Sequence, residues 1–360
     1  MSTFLFPVKG LLTSIDLTLS IGSVQLLSPA RAREKLNEAI DRSAIPEVLL
    51  GSVEDFDTEL GGCVAALVDA DNREDAVDLI ETALDVLRTF LYTRVVAQMP
   101  SFGITDGFLG AAVQYADLCS GGIGSFRIGH FTGVHVTAET VAAYEESHFS
   151  GVAGAAVGSR AATPAQAQAL AAIRLASQAL LTHDPGMRTV LAMTAAEVLL
   201  FAPGEGSRSL RLAQRAAFLV CGLPEGQLCG RGRPSCLILK ADLADDGDGY
   251  KQLQKVEKLG NVDTRWRCSE WHHVLDWYAI RSQLVHEGKK VDRRDASRVV
   301  YWLVSSLLPA VLEWYGGHPE SPNAQLVAAM RALPEPPAEY LQYEAAYNEL
   351  ASRGAFGNER

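Results

Sequence analysis

The sequence lacks an apolar run long enough to cross a membrane. Its longest run, Val299–Tyr315, falls short of the roughly 20 residues that a spanning helix needs. Polar residues, proline and charge interrupt this run at Ser305, Ser306, Pro309 and Glu313. The first residues also lack a charged segment followed by an apolar one, which argues against a secretion signal. We therefore expect Val299–Tyr315 to form a core helix and the chain to be cytoplasmic, with no membrane partner.

Cysteines at metal-binding spacing are also missing. Candidate zinc ligands occur within one stretch, at Cys221, Cys229, Cys236, Cys268, His272 and His273. None of these cysteines forms the Cys-x-x-Cys pair that is typical of zinc sites. Without a secretion signal, reduced thiols are expected instead of disulfides. We predict no metal and no cofactor, and a zinc site formed by these residues stays open as the alternative.

Positive charge is scarce in the first part of the chain. Residues 1–150 contain 9 Lys and Arg against 21 Asp and Glu, whereas residues 151–360 contain 23 against 22. The overall composition, 48% hydrophobic and 21% charged, excludes disordered, collagenous and coiled-coil proteins. A length of 360 residues predicts two domains. The first of them is too acidic to be a general nucleic-acid surface.

Strand and helix patterns alternate over residues 1–155. Asp16–Leu27 alternates around a central glycine, which predicts a β-hairpin, and residues 29–41 have helical composition. The apolar run Cys63–Val68 precedes residues 74–96, whose apolar residues recur at three and four positions as in a long amphipathic helix. We predict an acidic α+β domain with a sensor or regulatory role, which binds a ligand or a protein partner.

Glycine, aromatic and β-branched residues return over residues 101–158, and this composition predicts strands. The last part, residues 151–158, has the sequence GVAGAAVG. Since no strand-then-helix pattern surrounds these glycines, we interpret them as a linker between the two domains.

The second half is almost entirely helical in pattern. Five apolar-periodic segments separated by Gly or Pro predict an all-α bundle over residues 160–320. The segments are residues 165–181, 187–201, 207–222, 271–288 and 292–317. A loop-rich insert at 223–270 interrupts the bundle, and a helical tail at 321–360 follows it.

One helix of this bundle carries a candidate catalytic motif near its end. Trp277, Ile280 and Leu284 recur at spacings of three and four residues, which predicts the face that packs into the bundle. His286 lies about 200° around the helix from Leu284, so it is expected to point away from that face. The long side chain of Arg281 can lean toward the same side.

An arginine and a histidine on one helix face suit phosphoryl chemistry. Arginine holds phosphate oxygens, and histidine transfers protons near neutral pH. Ser282 lies one turn before His286, and Glu287 follows that histidine directly. Glu197, in an apolar helix, is expected to orient Arg281 or a base, or to form a structural ion pair. The alternative is that Arg281 pairs with an acid and His286 is an ordinary surface residue.

The pattern Y-x-x-R-S-x-x-V-H-x-G over Tyr278–Gly288 resembles the motif of the HEPN superfamily, in which Arg and His enclose four to six residues. AAEVLL at 195–200 and LAQRAAFLVCG at 212–222 are similar to the ApeA-like group. The resemblance covers about residues 164–317. It implies a HEPN-like helical bundle with Arg281 and His286 as catalytic residues. From their positions in the sequence, Ser282, Glu287 and Glu197 are expected to support them.

The resemblance also implies a function: a metal-independent endoribonuclease acting as an antiviral defence effector or a toxin. The active form would be a homodimer whose motif helices face each other. Basic residues near the motif agree with an RNA substrate, since residues 205–240 hold six Lys and Arg against two Glu and residues 281–298 hold six against three acids. Inactive members of the superfamily serve as binding or regulatory modules, and this is the alternative function.

Overall fold

The chain forms two compact units, Met1–Leu181 and Thr182–Arg360, in a computed structural model. The structure describes residues 2–39, 58, 63–94, 112–117, 122–127, 134–202, 204–205, 209–221 and 269–332. The first unit combines a sheet with helices and the second is mostly helical, as the sequence predicts. The boundary follows Leu181 and so lies later in the chain than the predicted one near residues 155–160.

A four-stranded sheet in the order β1-β5-β4-β3 forms the centre of the first unit. The strands of this unit are β1 Ser2–Val8, β2 Leu11–Thr13, β3 Thr18–Ile21, β4 Val24–Leu27, β5 Val64–Ala70, β6 Ala112–Asp117, β7 Gly122–Arg127 and β8 Val134–Val136. The neighbouring strands of this sheet are antiparallel, and β3 and β4 form the predicted hairpin with Ile21 opposite Val24. Separately, β2 pairs with β8 in parallel, and β6 pairs with β7.

Helices in the same unit are α1 Pro29–Ala39, α2 Arg73–Arg94, α3 Ala138–Glu145 and α4 Pro164–Leu181. The predicted amphipathic helix is α2, which packs against β5 and against α4. A fully buried arginine joins the two helices, since Arg88 Nη1 lies 2.7 Å from Asp85 Oδ1 and 2.5 Å from Ser177 Oγ on α4. Ser177 Oγ in turn donates to Asp85 Oδ1 at 2.6 Å.

This buried contact explains why the unit boundary follows α4. Burial raises the pKa of Asp85 and lowers that of Arg88, while each charge opposes the effect on its partner. Taking either partner of a buried ion pair away is strongly destabilising. Helix α4, assigned from its sequence to the helical bundle, therefore belongs to the first unit.

The segment interpreted as a linker is part of the same core. Residues Phe149–Gly154 form a π-helical turn. Val152 and Val157 are buried, and Val157 O accepts a hydrogen bond of 3.1 Å from Ser23 N, beside the β3–β4 turn. The linker interpretation of residues 151–158 is wrong, because their small side chains allow close packing. The prediction of strands over 101–158 also fails from residue 138 onward, where α3 and this turn are helical.

The second unit contains the predicted helices of the bundle that follow α4, and then one helix of the predicted tail. They are α5 Pro185–Leu200, α6 Ser209–Cys221, α7 Ser269–Glu287, α8 Arg293–Trp302, α9 Leu308–Gly317 and α10 Pro322–Arg331. Asp184 caps α5 by accepting a hydrogen bond of 2.6 Å from Met187 N. Most of the predicted insert lies outside the described residues, as does the tail beyond residue 332.

A π-helical segment, Leu303–Leu307, joins α8 and α9 into one continuous helix. Among the described residues this helix, Arg293–Gly317, is the one candidate for a membrane span by length and composition. Within its most apolar window, 56% is buried inside the structure. Tyr315 illustrates the packing, since its buried hydroxyl donates a hydrogen bond of 2.5 Å to Leu199 O at the end of α5. The helix is therefore packed as the predicted core helix.

Candidate functional site

The motif helix α7 ends at a glycine in a left-handed conformation. Gly288 has a backbone φ of +67°, a value that residues with a Cβ atom rarely adopt. Its N–H donates a hydrogen bond of 3.1 Å to Leu284 O. This bond caps the carboxyl end of the helix. Because the helix stops here, His286 lies in its last turn.

Helix α7 packs against α6 and α5 along its length, but its last turn lies at the surface. Val274 is fully buried, and the Trp277 ring lies 5.0 Å from that of Trp302 on α8. Leu284 is only half-buried, and Val285 is 53% exposed. The predicted packing face is thus tightly packed in the middle of α7 and loosens toward His286.

Arg281 is held at the edge of the packed face instead of pointing freely into solvent. Its Nη2 lies 3.7 Å from Glu197 Oε2 on α5, and the two side chains are 23% and 15% exposed. Its Cζ lies 5.5 Å from the centre of the Tyr278 ring, one turn earlier on α7. Glu197 therefore lies beside Arg281, which is one of the arrangements that the sequence left open. The expectation that Arg281 leans to the exposed side with His286 is wrong, because Glu197 attracts the guanidinium toward the bundle.

The Arg281 guanidinium keeps unused hydrogen-bonding capacity. Its Nε is buried and has no hydrogen-bond partner among the residues that the structure describes. Its closest approach to Glu197, 3.7 Å, is longer than a hydrogen bond. The guanidinium is therefore oriented by charge and by the Tyr278 ring, and its donors remain unsaturated.

The other residues predicted for the site lie toward solvent. His286 and Glu287 are exposed, and Ser282 is half-buried. Glu287 Oε2 lies 2.9 Å from Lys289 Nζ, so its carboxylate pairs with a lysine beyond the helix end. Within the part of the chain that the structure describes, no hydrogen bond or ion pair joins His286 to Arg281, Glu197 or Glu287. One copy of the chain thus brings together Arg281 and Glu197 and leaves His286 accessible.

Positive charge continues beyond the motif helix. The exposed basic residues between the end of α7 and the middle of α8 are Lys289, Lys290, Arg293, Arg294 and Arg298. In the second basic stretch of the sequence, 205–240, Arg215 is buried and binds Glu205 and Leu200 O. Burial alone would raise the pKa of the Glu205 carboxyl group. The hydrogen bond from Arg215 and its positive charge act in the opposite direction, and the net result is a lowered pKa for Glu205.

Three of the six candidate zinc ligands lie outside the described residues. These are Cys229, Cys236 and Cys268, while Cys221 is the last residue of α6. His273 is exposed and stacks on Trp277 at 5.6 Å between ring centres. The described residues contain no group of three His, Cys, Asp or Glu side chains that could hold a metal ion. The zinc alternative therefore stays untested.

Two residues near the motif have contacts or exposure that the sequence analysis did not anticipate, although Tyr278 begins the motif itself. Tyr278 contacts the Arg281 guanidinium, and the signal for it is the three-residue spacing on one helix face. Tyr301 on α8 is 45% exposed, and the signal for it is its spacing from Arg294 and Arg298.

Comparisons with protein families, with curated proteins and with solved structures find no match to this chain.

Proposed function

We propose that this chain is a metal-independent endoribonuclease of the HEPN type, an antiviral or toxin effector acting in the cytoplasm. The observation that carries the proposal is the exposed His286 at the end of a helix that also carries Arg281, whose guanidinium has unsaturated donors. The exposed basic residues that follow, Lys289 and Lys290 among them, supply the positive charge that an RNA substrate needs.

Each of the two residues has a distinct part in the reaction. The ribose 2′-hydroxyl oxygen attacks the adjacent phosphorus while the His286 imidazole takes its proton. The bond from phosphorus to the 5′-oxygen breaks, and the departing oxygen receives a proton from an imidazolium. Arg281 neutralises the charge that develops on the phosphate oxygens. The products are a 2′,3′-cyclic phosphate and a 5′-hydroxyl, and only RNA carries the attacking group.

A second copy of the chain fits this proposal. The reaction needs one proton acceptor and one proton donor, whereas each chain offers a single exposed histidine in the motif. Two motif helices related by a two-fold axis bring two His286 and two Arg281 side chains to one phosphate. A homodimer therefore completes the site.

RNA cleavage by the full chain tests the proposal. We expect the purified protein to cut RNA in the presence of EDTA and to leave 2′,3′-cyclic phosphate ends. His286→Ala should abolish cleavage, whereas His273→Ala, which removes another exposed imidazole from the same helix, should not. A 2′-deoxy substitution at the scissile nucleotide should block cutting. A strict requirement for Mg²⁺, or equal cleavage of DNA, would contradict the proposal.

A non-catalytic binding or regulatory module is the second candidate. The Arg281–Glu197 contact favours it, because a carboxylate beside the guanidinium is also what a structural ion pair requires. Specific RNA binding without cleavage by the wild-type protein would support this second function.

A further inference from the structure

The outward face of α8 carries an exposed tyrosine in line with two arginines. Ala296, Val299 and Val300 are buried in the second unit, whereas Arg294, Arg298 and Tyr301 are exposed. Spacings of four and three residues put the exposed three on one side of the helix. We call Arg294, Arg298 and Tyr301 the α8 strip.

The strip is strongly cationic within an acidic protein. Residues 289–301 contain five Lys and Arg against two Asp, although the whole chain has a formal charge of −11. Arg298 Nη1 lies 3.7 Å from Asp295 Oδ1, longer than a hydrogen bond, and both side chains are exposed. Arg294 has no ion pair with any residue that the structure describes. Such a local excess of positive charge attracts anionic partners.

The strip also lies close to the proposed catalytic helix. Only the short segment 288–292 separates α7 from α8. The rings of Trp277 and Trp302 lie 5.0 Å apart, so the end of α8 contacts the middle of α7. A strand of nucleic acid bound near His286 can therefore continue along α8.

A ligand for this strip needs anionic groups at regular intervals and flat apolar groups between them. Arg294 and Arg298 are about 6 Å apart along the helix axis and match successive negative groups. The half-exposed Tyr301 ring offers a face for stacking. Bases of a duplex are already stacked on each other and are not free for this contact, whereas bases of a single strand are.

We propose that the α8 strip binds single-stranded RNA beside the cleavage site, with the arginines on phosphates and Tyr301 stacked on a base. This inference rests on the proposed ribonuclease function for its choice of RNA. It adds that the substrate is single-stranded and that it runs along α8.

Binding measurements separate this inference from the catalytic proposal. The full chain with His286→Ala keeps RNA intact, and fluorescence anisotropy then measures affinity for a labelled 12-nucleotide single strand, for its duplex and for an abasic strand of equal length. Tyr301→Ala should weaken binding of the single strand by about 5- to 150-fold, as loss of one stacked base does. Tyr301→Phe keeps the ring and should bind within about twofold of the parent.

The arginines are tested by salt dependence. Arg298→Gln should lower the slope of log affinity against log salt by about 0.7, as expected for one lost phosphate contact to a single strand. Arg160→Gln, a change of an exposed arginine in the first unit, should leave the slope unchanged. Because Arg298 and Tyr301 are exposed, the melting temperatures of these variants should stay close to that of the parent.

Three results would overturn the inference: single-strand affinity unchanged by Tyr301→Ala, equal or tighter binding of the duplex, or no measurable RNA binding. If wild-type protein does not cleave RNA but Tyr301→Ala still weakens single-strand binding, the catalytic proposal fails and the α8 strip stands. If wild-type protein cleaves RNA and Tyr301→Ala has no effect on affinity, the inference about the α8 strip fails and the catalytic proposal is retained.

Discussion

Replacing Arg281 should destabilise the second unit, whereas replacing His286 should not, although both residues belong to the same motif. His286 is exposed, so His286→Ala is expected to change the free energy of unfolding by less than about 0.5 kcal/mol. Arg281→Ala takes a cation away from the Glu197 carboxylate, which is only 15% exposed, and also removes the contact with Tyr278. Loss of one partner from a mostly buried polar contact costs about 1–3 kcal/mol.

Thermal unfolding measures this difference. For a unit of the size of Thr182–Arg360, about 2 kcal/mol lowers Tm by roughly 4–8 °C. The cost arises because the Glu197 carboxylate loses the cation beside it, so adding Glu197→Gln to Arg281→Ala should recover part of the loss. Equal melting temperatures for Arg281→Ala and His286→Ala would refute the reasoning, as would a double variant less stable than the sum of the single changes predicts.

Two further predictions concern assembly and pH. If the site is composite, light scattering at micromolar concentration should detect a dimer, and a monomer would contradict the two-fold arrangement of motif helices. Arg215 lowers the pKa of Glu205 in the folded protein. The ionised carboxylate therefore stabilises the fold at pH values above the ordinary glutamate pKa of about 4.3. This stabilisation is lost as the pH falls through the lowered pKa of the folded protein. Urea unfolding should show that Glu205→Gln has a lower free energy of unfolding than wild type at pH 7, and the difference should shrink toward pH 3. A difference in free energy that stays constant with pH would show that the charge of Glu205 is not the cause.

Local sequence signals predicted the elements that local physics controls. The β3–β4 hairpin followed from alternation around Gly22, and α2 followed from apolar residues at three and four positions. The end of α7 followed from Gly288, whose backbone conformation suits glycine. In each case the deciding interactions lie within a few residues of one another.

Contacts between distant residues were not visible in the sequence. The direction of the Arg281 side chain depends on Glu197 in another helix, and helical spacing alone does not determine it. The segment 151–158 has the composition of a linker, yet Val157 packs beside Ser23 in the core. Composition indicates the local conformation that a segment favours. The direction of the Arg281 side chain and the burial of residues 151–158 depend instead on residues that are distant in the sequence and close in the fold.

The buried contact between Arg88 and Ser177 has a consequence for synthesis on the ribosome. The two residues are separated by 89 positions, and the second lies near the end of the first unit. A nascent chain that has not yet emerged beyond α4 therefore holds Arg88 on α2 without its serine acceptor. Long-range contacts of this kind form late and slow folding. The amino-terminal unit can complete its core only after Leu181 has left the exit tunnel, when synthesis of the motif-bearing unit is already under way.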